Sequence, residues 1–444
     1  MATDSGEEDA APPREGAPEE PPSDGGRALA RPSRVAVVIY ALVTAVMLVT
    51  AGPGRLARHT DYDHYALLAE AWLHGRLDLG GPPPAYTHDN DFAAFDGKTF
   101  VSFPPFPAVL ILPAVALSGS AEKTRDALFF GLFTGVAPAF LYLALDKLTR
   151  ARRVRTTDRE NVALAALFAF GPVAWFSAAQ GTVWFAAHVV GAGLLAAHLY
   201  FAIEAEHPVV AGALLALGFA TRPSLGFAFP FFLFELWRAR GRGSAAARGL
   251  VAFGAPCVAV LGLLLWHNAA RFGDAFEFGH KLLTVAWRAR MQKWGLFSYH
   301  YLGRNLAVCL AELPYLGVRG APFQINGHGL ALWVTSPFYA WALWPRRASP
   351  LFCALAVSAA LVALPSLLYQ NSGWIQFGYR FSNDFAPLLI LMIAAGRRRL
   401  GAAFWGLAGV AVAVNAFGAI TFQRAGFERY YFVDPTQRVL FQPD

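Results

Sequence analysis

Residues 59–77 read HTDYDHYALLAEAWLHGRL and concentrate groups that can move a proton: His59, Asp61, Asp63, His64 and Glu70. A carboxylate at the edge of an apolar environment can act as a general base, because burial raises its pKa toward the working range. Such a base would take the proton of an acceptor hydroxyl, which is a poor nucleophile while neutral. At helical spacing Asp61, Tyr65, Leu68 and Trp72 share one stripe, and Asp63, Leu67, Glu70 and His74 share another. Thr60 and Asp63 fit a capping box with Asp in place of Glu, which gives Asp63 a structural task at the helix start. Asp61 has no such task and is the first candidate base, although it can also simply favour the helix dipole. Asp63 is the second candidate, and His64 a candidate substrate contact. The oily stripe predicts a helix lying flat in the outer membrane interface.

A leaving group that gains negative charge needs fixed cations beside it. The candidates are Arg222, Arg271 and Arg380, with Arg304 and Lys281 behind them. Arg222 stands in a Thr-Arg-Pro break between two short apolar segments. An arginine there is costly unless it faces a cavity or an anion, or snorkels to the interface. Arg380 lies in GWIQFGYRFSND, with Tyr379 available for stacking and Asp384 for pairing. An Arg380–Asp384 pair that only holds the loop is the structural alternative, and Arg271 can pair locally with Asp274. Gln180 and His188, in AAQGTVWFAAH, are further polar candidates on the outer side.

Other polar features read more plainly. His280, His300 and His328 match no metal spacing. Asp89-Asn90-Asp91 opens like a calcium loop but lacks the following Gly and the distal Glu, so it reads as a polar turn. No phosphate-binding Gly loop, nucleophile elbow or kinase signature occurs. Cys257, Cys309 and Cys353 lie too far apart to suggest a disulfide framework. No cofactor is indicated, and dependence on a divalent metal stays open.

The elements that must position these groups follow from composition. Of 444 residues, 56% are hydrophobic and only 15% charged, which argues for an all-α polytopic membrane protein. Apolar runs near the bilayer-spanning length fall at about 34–52, 126–146, 160–179, 181–203, 208–220, 223–237, 249–267, 329–345, 350–369, 385–396 and 401–422. The net charge of +7 comes from arginines in short loops, which the positive-inside rule explains without nucleic acid. Those loops, 150–159, 238–248, 346–347 and 397–399, mark the cytoplasmic side. Residues 1–33 read as a disordered, acidic cytoplasmic tail, with 423–444 as an outer tail. The proline-rich 104–117 is expected to enter from the outer side without a full crossing, or to cross as a broken helix whose partner compensates, which leaves about eleven crossings. Outer loops 53–103, 268–328 and 370–384 then share one face, where function is expected.

The pattern Asp61-x3-Tyr65-x3-Ala69 after a first span resembles the first outer loop of GT-C membrane glycosyltransferases, notably protein O-mannosyltransferases and aminoarabinose lipid A transferases. FPPFPAVLILP, from Phe103 to Pro113, is similar to the Pro-Pro segment that follows this loop in the family. LALGFATRPSLGFAFP, from Leu215 to Pro230, resembles its small-residue span followed by a basic residue and Pro. RFGDAFEFGH and FGYRFSNDFAP resemble segments of uncharacterised bacterial members. The resemblance covers most of 34–422 and implies a GT-C-like fold with Asp61 in the role of catalytic carboxylate. It further implies transfer of a hexose or pentose, with inversion, from a polyprenyl-phosphate donor to a lipid, glycan or protein acceptor outside a bacterial cytoplasmic membrane. Two departures stand out: Phe103 replaces a basic residue before the Pro-Pro, and Gln180 and His188 stand where a second outer Asp is common.

Two other classes fit a polytopic chain. A transporter or flippase tends to show paired repeats and charges within spans, and neither is evident. A polysaccharide polymerase or ligase would share the large outer loop but places its chemistry in a later one.

Overall fold

The structure is a computed structural model, described here for residues 32–285, 287–317 and 320–431. The tail expected over 1–33 therefore lies almost wholly outside the described residues, as does the end of the 423–444 tail. The molecule is mostly helical, with only two short antiparallel hairpins among the described residues. Six helices there are long and apolar enough to cross a membrane, including Pro32–Ala51, Ser244–Phe272 and Ala402–Thr421.

The remaining apolar runs are short or broken helices, and each break has a chemical cause. Ser336 and Pro337 separate Leu332–Thr335 from the helical turns that end at Leu343. Thr221-Arg222-Pro223 turns the chain between Pro208–Phe219 and Phe229–Arg240. Arg222, preceding a proline, is held extended (φ −146°, ψ 109°). Close approach is possible where a side chain is missing. A Cβ on Gly212 would come within 2.0 Å of the Phe253 carbonyl oxygen, and one on Gly135 within 2.3 Å of that of Tyr40.

The loops sort to two ends. At one, Arg153 makes a bidentate pair with Glu235 (2.7 and 2.6 Å), Arg238 reaches Glu204 (2.5 Å), and Arg346 N–H donates to Gly396 O. Arg397 also donates to Arg153 O, so the arginine-rich loops sit together. At the other end Arg55 donates to Ala179 O and Phe422 O, and Val183 N–H to Tyr62 O. Bridges join Ala93 to Leu283 and Phe297 to Tyr369, which unites segments 53–103, 268–328 and 370–384.

Helix Phe106–Ser118 packs along His64–Leu73. The chain leaves it through Ala121, whose N–H donates to Glu70 Oε2 (3.0 Å), and through Asp126, which binds Thr60.

The 59–77 stretch differs from expectation. The helix begins at His64, with Asp63 at the N-cap making no side-chain capping bond. Thr60 instead donates through N–H and hydroxyl to Asp126 (2.8 and 2.6 Å), so the capping box does not form. Asp61 lies on an exposed turn before the helix rather than on its stripe. Protein covers most of the helix: His64 through Ala69 are all buried.

Candidate functional site

The site lies where segments 53–103, 268–328 and 370–384 meet the helix breaks. The Thr221–Pro223 break projects Arg222 toward Asp384, at the end of the short helical turn Arg380–Asp384. Arg222 Nε donates to Asp384 Oδ1 at 2.5 Å, and Ser224 Oγ to Oδ2 at 2.8 Å. His188 Nδ1 lies 2.9 Å from the same Oδ1. Asp384 is 1% exposed, and three partners with well-formed geometry satisfy its carboxylate.

Arg380 stands beside this cluster instead of pairing with Asp384. Its guanidinium lies 5.2 Å over the Phe185 ring and 5.6 Å from Phe381, and that of Arg222 lies 5.4 Å from Phe381. Two guanidinium groups therefore share one aromatic ring. The Arg222 terminal nitrogens make no hydrogen bond among the described residues. Arg380 has one side-chain bond, from Nη1 to Trp374 O at 3.3 Å, and its Nε is buried without a partner. Burial, then the Arg222 charge, draw the Arg380 guanidinium down to about 9. A bound anion would relieve both penalties.

Asp91, read in the sequence as part of a plain turn, faces this pair. Its Oδ2 accepts the Trp184 indole N–H at 2.8 Å, and burial raises its carboxyl against the pull of that bond and of Arg380. Tyr62 packs on Trp184 with ring centroids 4.7 Å apart. The sequence signal for Asp91 was its place in an outer acidic run. Its partners Trp184 and Arg380 are remote in sequence, and only the fold brings them near.

The other candidates separate. Asp63 is 2% exposed and receives the Tyr86 hydroxyl at 3.3 and 3.2 Å, with His59 Nδ1 4.0 Å away. Burial, and next the Asp126 charge, push its carboxyl up to about 8. His64 Nε2 lies 2.8 Å from Asn90 O, its ring stacks on Phe92, and burial lowers its pKa to about 4, so it is neutral. Arg271 is occupied elsewhere: it donates to Val101 O (2.8 Å) and Asn268 Oδ1 (3.0 Å), not to Asp274. Tyr379 is 1% exposed, with its hydroxyl 3.4 Å from Ser366, so no ring face is open for stacking. Gln180 is buried and donates back to Phe176 O. Arg304 is buried and donates to Gln370 O, and Lys281 is exposed. No three His, Cys, Asp or Glu side chains among the described residues are placed to hold a metal.

No family model and no curated protein matches this sequence. Solved structures do. The apo oligosaccharyltransferase of Archaeoglobus fulgidus is similar at TM-score 0.51 and 13% identity, covering 91% of this chain and 60% of that one. The oligosaccharyltransferase AglB of the same organism, in complex with an inhibitory peptide and a dolichol-phosphate, gives TM-score 0.51 and 14% identity, over 87% of this chain and 55% of that one. ArnT from Cupriavidus metallidurans bound to undecaprenyl phosphate gives TM-score 0.48 and 16% identity, over 84% and 62%. The chain thus spans between about half and two thirds of the length of these proteins. These likenesses show the fold alone: this chain shares the fold of the Archaeoglobus fulgidus oligosaccharyltransferase AglB.

Proposed function

We propose that the protein is a membrane glycosyltransferase that moves a sugar, with inversion, from a polyprenyl-phosphate carrier to a hydroxyl acceptor outside the membrane. The observation that carries this reading is the Arg222–Arg380 pair around Phe381, with Arg380 Nε buried without a partner and the terminal nitrogens of the half-buried Arg222 unbonded among the described residues. Two such cations repel one another unless an anion joins them, and a lipid-linked phosphate is an anion that arrives from the membrane side. A similarly folded protein is described with a bound dolichol-phosphate, which agrees with this reading. The acceptor's proton passes to a carboxylate of the first outer loop. Asp61 and Asp63 are the candidates from the sequence, and Asp61 alone of the two is open to solvent.

We further propose eleven crossings with the amino terminus in the cytoplasm. The gathering of the arginine-rich loops at one end supports this arrangement, as does the positive-inside rule.

The test is sugar transfer in membranes from undecaprenyl phosphate carrying radiolabelled mannose, glucose or arabinose. Arg380→Gln is expected to lower transfer at least 100-fold and to weaken protection of the protein by undecaprenyl phosphate against heat. Arg380→Lys keeps the charge but not the planar fork, and should retain part of both. Arg222→Gln should behave like Arg380→Gln, with a further loss of stability because Asp384 loses a buried partner. Wild-type transfer by Arg380→Gln would remove the reading.

A further inference from the structure

Asp91 has a geometry that a plain turn does not need. His88, Asp89 and Asp91 all take positive φ (54°, 53° and 64°), a conformation that costs an L-residue of the order of 1 kcal/mol. At Asp91 the surroundings hold it. Phe92 begins the hairpin with Lys98–Val101, His64 Nε2–H donates to Asn90 O, and the Trp184 indole N–H donates to Oδ2. Oδ1 takes no hydrogen bond among the described residues.

Trp184 and Phe185 are consecutive in the first turn of helix Val183–Ala202. Asp91 is bonded to the first, and Arg380 lies over the second. Each of the two charges acts on the other, so the carboxylate and the guanidinium are near one another, yet no ion pair within 4.0 Å joins them. An inverting displacement needs this kind of separation, with the base on one side of the reacting carbon and the charge that receives the leaving group on the other.

The two other carboxylates are less well placed. Asp61 is exposed and has no hydrogen-bond partner among the described residues to orient it. Asp63 has both oxygens under the Tyr86 hydroxyl, in a pocket closed by Asp126, Tyr65 and Val183.

We propose that Asp91 is the base that activates the acceptor, with Trp184 fixing its orientation. This rests on the transferase reading above. The acceptor O–H proton passes to Asp91 Oδ1 as the acceptor oxygen bonds to the anomeric carbon. The bond from that carbon to the phosphate oxygen breaks, and its electron pair leaves on the phosphate, which Arg222 and Arg380 receive. Asp91 then returns the proton to water.

The test uses the full chain in membranes with the same radiolabelled undecaprenyl-phosphate donors, and compares transfer to membrane acceptors with transfer to added azide. Azide is a nucleophile with no proton to lose. Asp91→Asn is expected to lower transfer to hydroxyl acceptors at least 100-fold while keeping transfer to azide and thermal protection by undecaprenyl phosphate. Trp184→Phe should lower hydroxyl transfer by about tenfold and spare azide. Wild-type hydroxyl transfer by Asp91→Asn, or equal loss with both acceptors, overturns the proposal and leaves the transferase reading standing. A wild-type protein that neither transfers sugar nor is protected by undecaprenyl phosphate overturns both.

Discussion

Asp63 shows how far a single residue can depart from its reading in the sequence. Spacing made it a helix cap; the fold makes it a carboxylate enclosed with Asp126, Glu70, Tyr86 and His59. The cause is a shift of the helix start to His64, because Thr60 finds a better acceptor in Asp126, 66 residues away. The pH consequence has a definite sign. The folded pKa, about 8, lies above the ordinary carboxylate value of 3.8. Between those values the folded state holds a proton that the unfolded state has released. Stability from this group is therefore full at low pH, falls as pH rises, and is lost above about 8. Asp63→Asn keeps the shape and can still accept from Tyr86, but it does not ionise. Its melting temperature in detergent should match wild type below about pH 4 and exceed it by several degrees at pH 8. A difference that does not change with pH would show that Asp63 does not titrate in this window.

Among the elements, the break at Thr221–Pro223 was the most legible. Two short apolar runs around Arg-Pro signalled that an arginine was held at depth, and the proline fixes the extended residue before it. Its acceptor was not legible, because Asp384 stands 162 residues later. Sequence spacing suggested Arg380 as the partner of Asp384, but the tight turn Arg380–Asp384 turns the arginine toward Phe185 instead. The helix that carries Arg222 depends on Gly212, where Pro208–Phe219 meets Ser244–Phe272. A methyl group there meets backbone, which cannot rotate away, so Gly212→Ala must separate the two helices. The expected cost is about 1–3 kcal/mol, read as a lower melting temperature, with reduced sugar transfer as Arg222 shifts. Gly254→Ala, in the same helix pair but with open space around its Cβ, should leave both unchanged. Equal effects of the two substitutions would refute this packing account.

At the scale of the whole molecule, the apolar runs and arginine-rich loops were sufficient to read the helices and their grouping into two ends. Apolar periodicity reports burial in lipid or protein alike, so it located apolar helices, six of them long enough among the described residues to cross a membrane, but could not tell that His64 through Ala69 are buried in protein. Which end faces the cytoplasm follows from charge alone, and it can be measured. Single cysteines at Arg152 or Arg347 and at Asp96 or Tyr299 sample exposed positions at opposite ends. They would be placed in a background with Cys257, Cys309 and Cys353 replaced by Ser. In intact cells a membrane-impermeant maleimide is expected to label positions 96 and 299, and positions 152 and 347 only after lysis. Labelling at 152 and 347 before lysis would invert the topology. The Arg222–Arg380 pair would then open toward the cytoplasm, and a transferase acting outside the membrane would be untenable whatever the residues of its site.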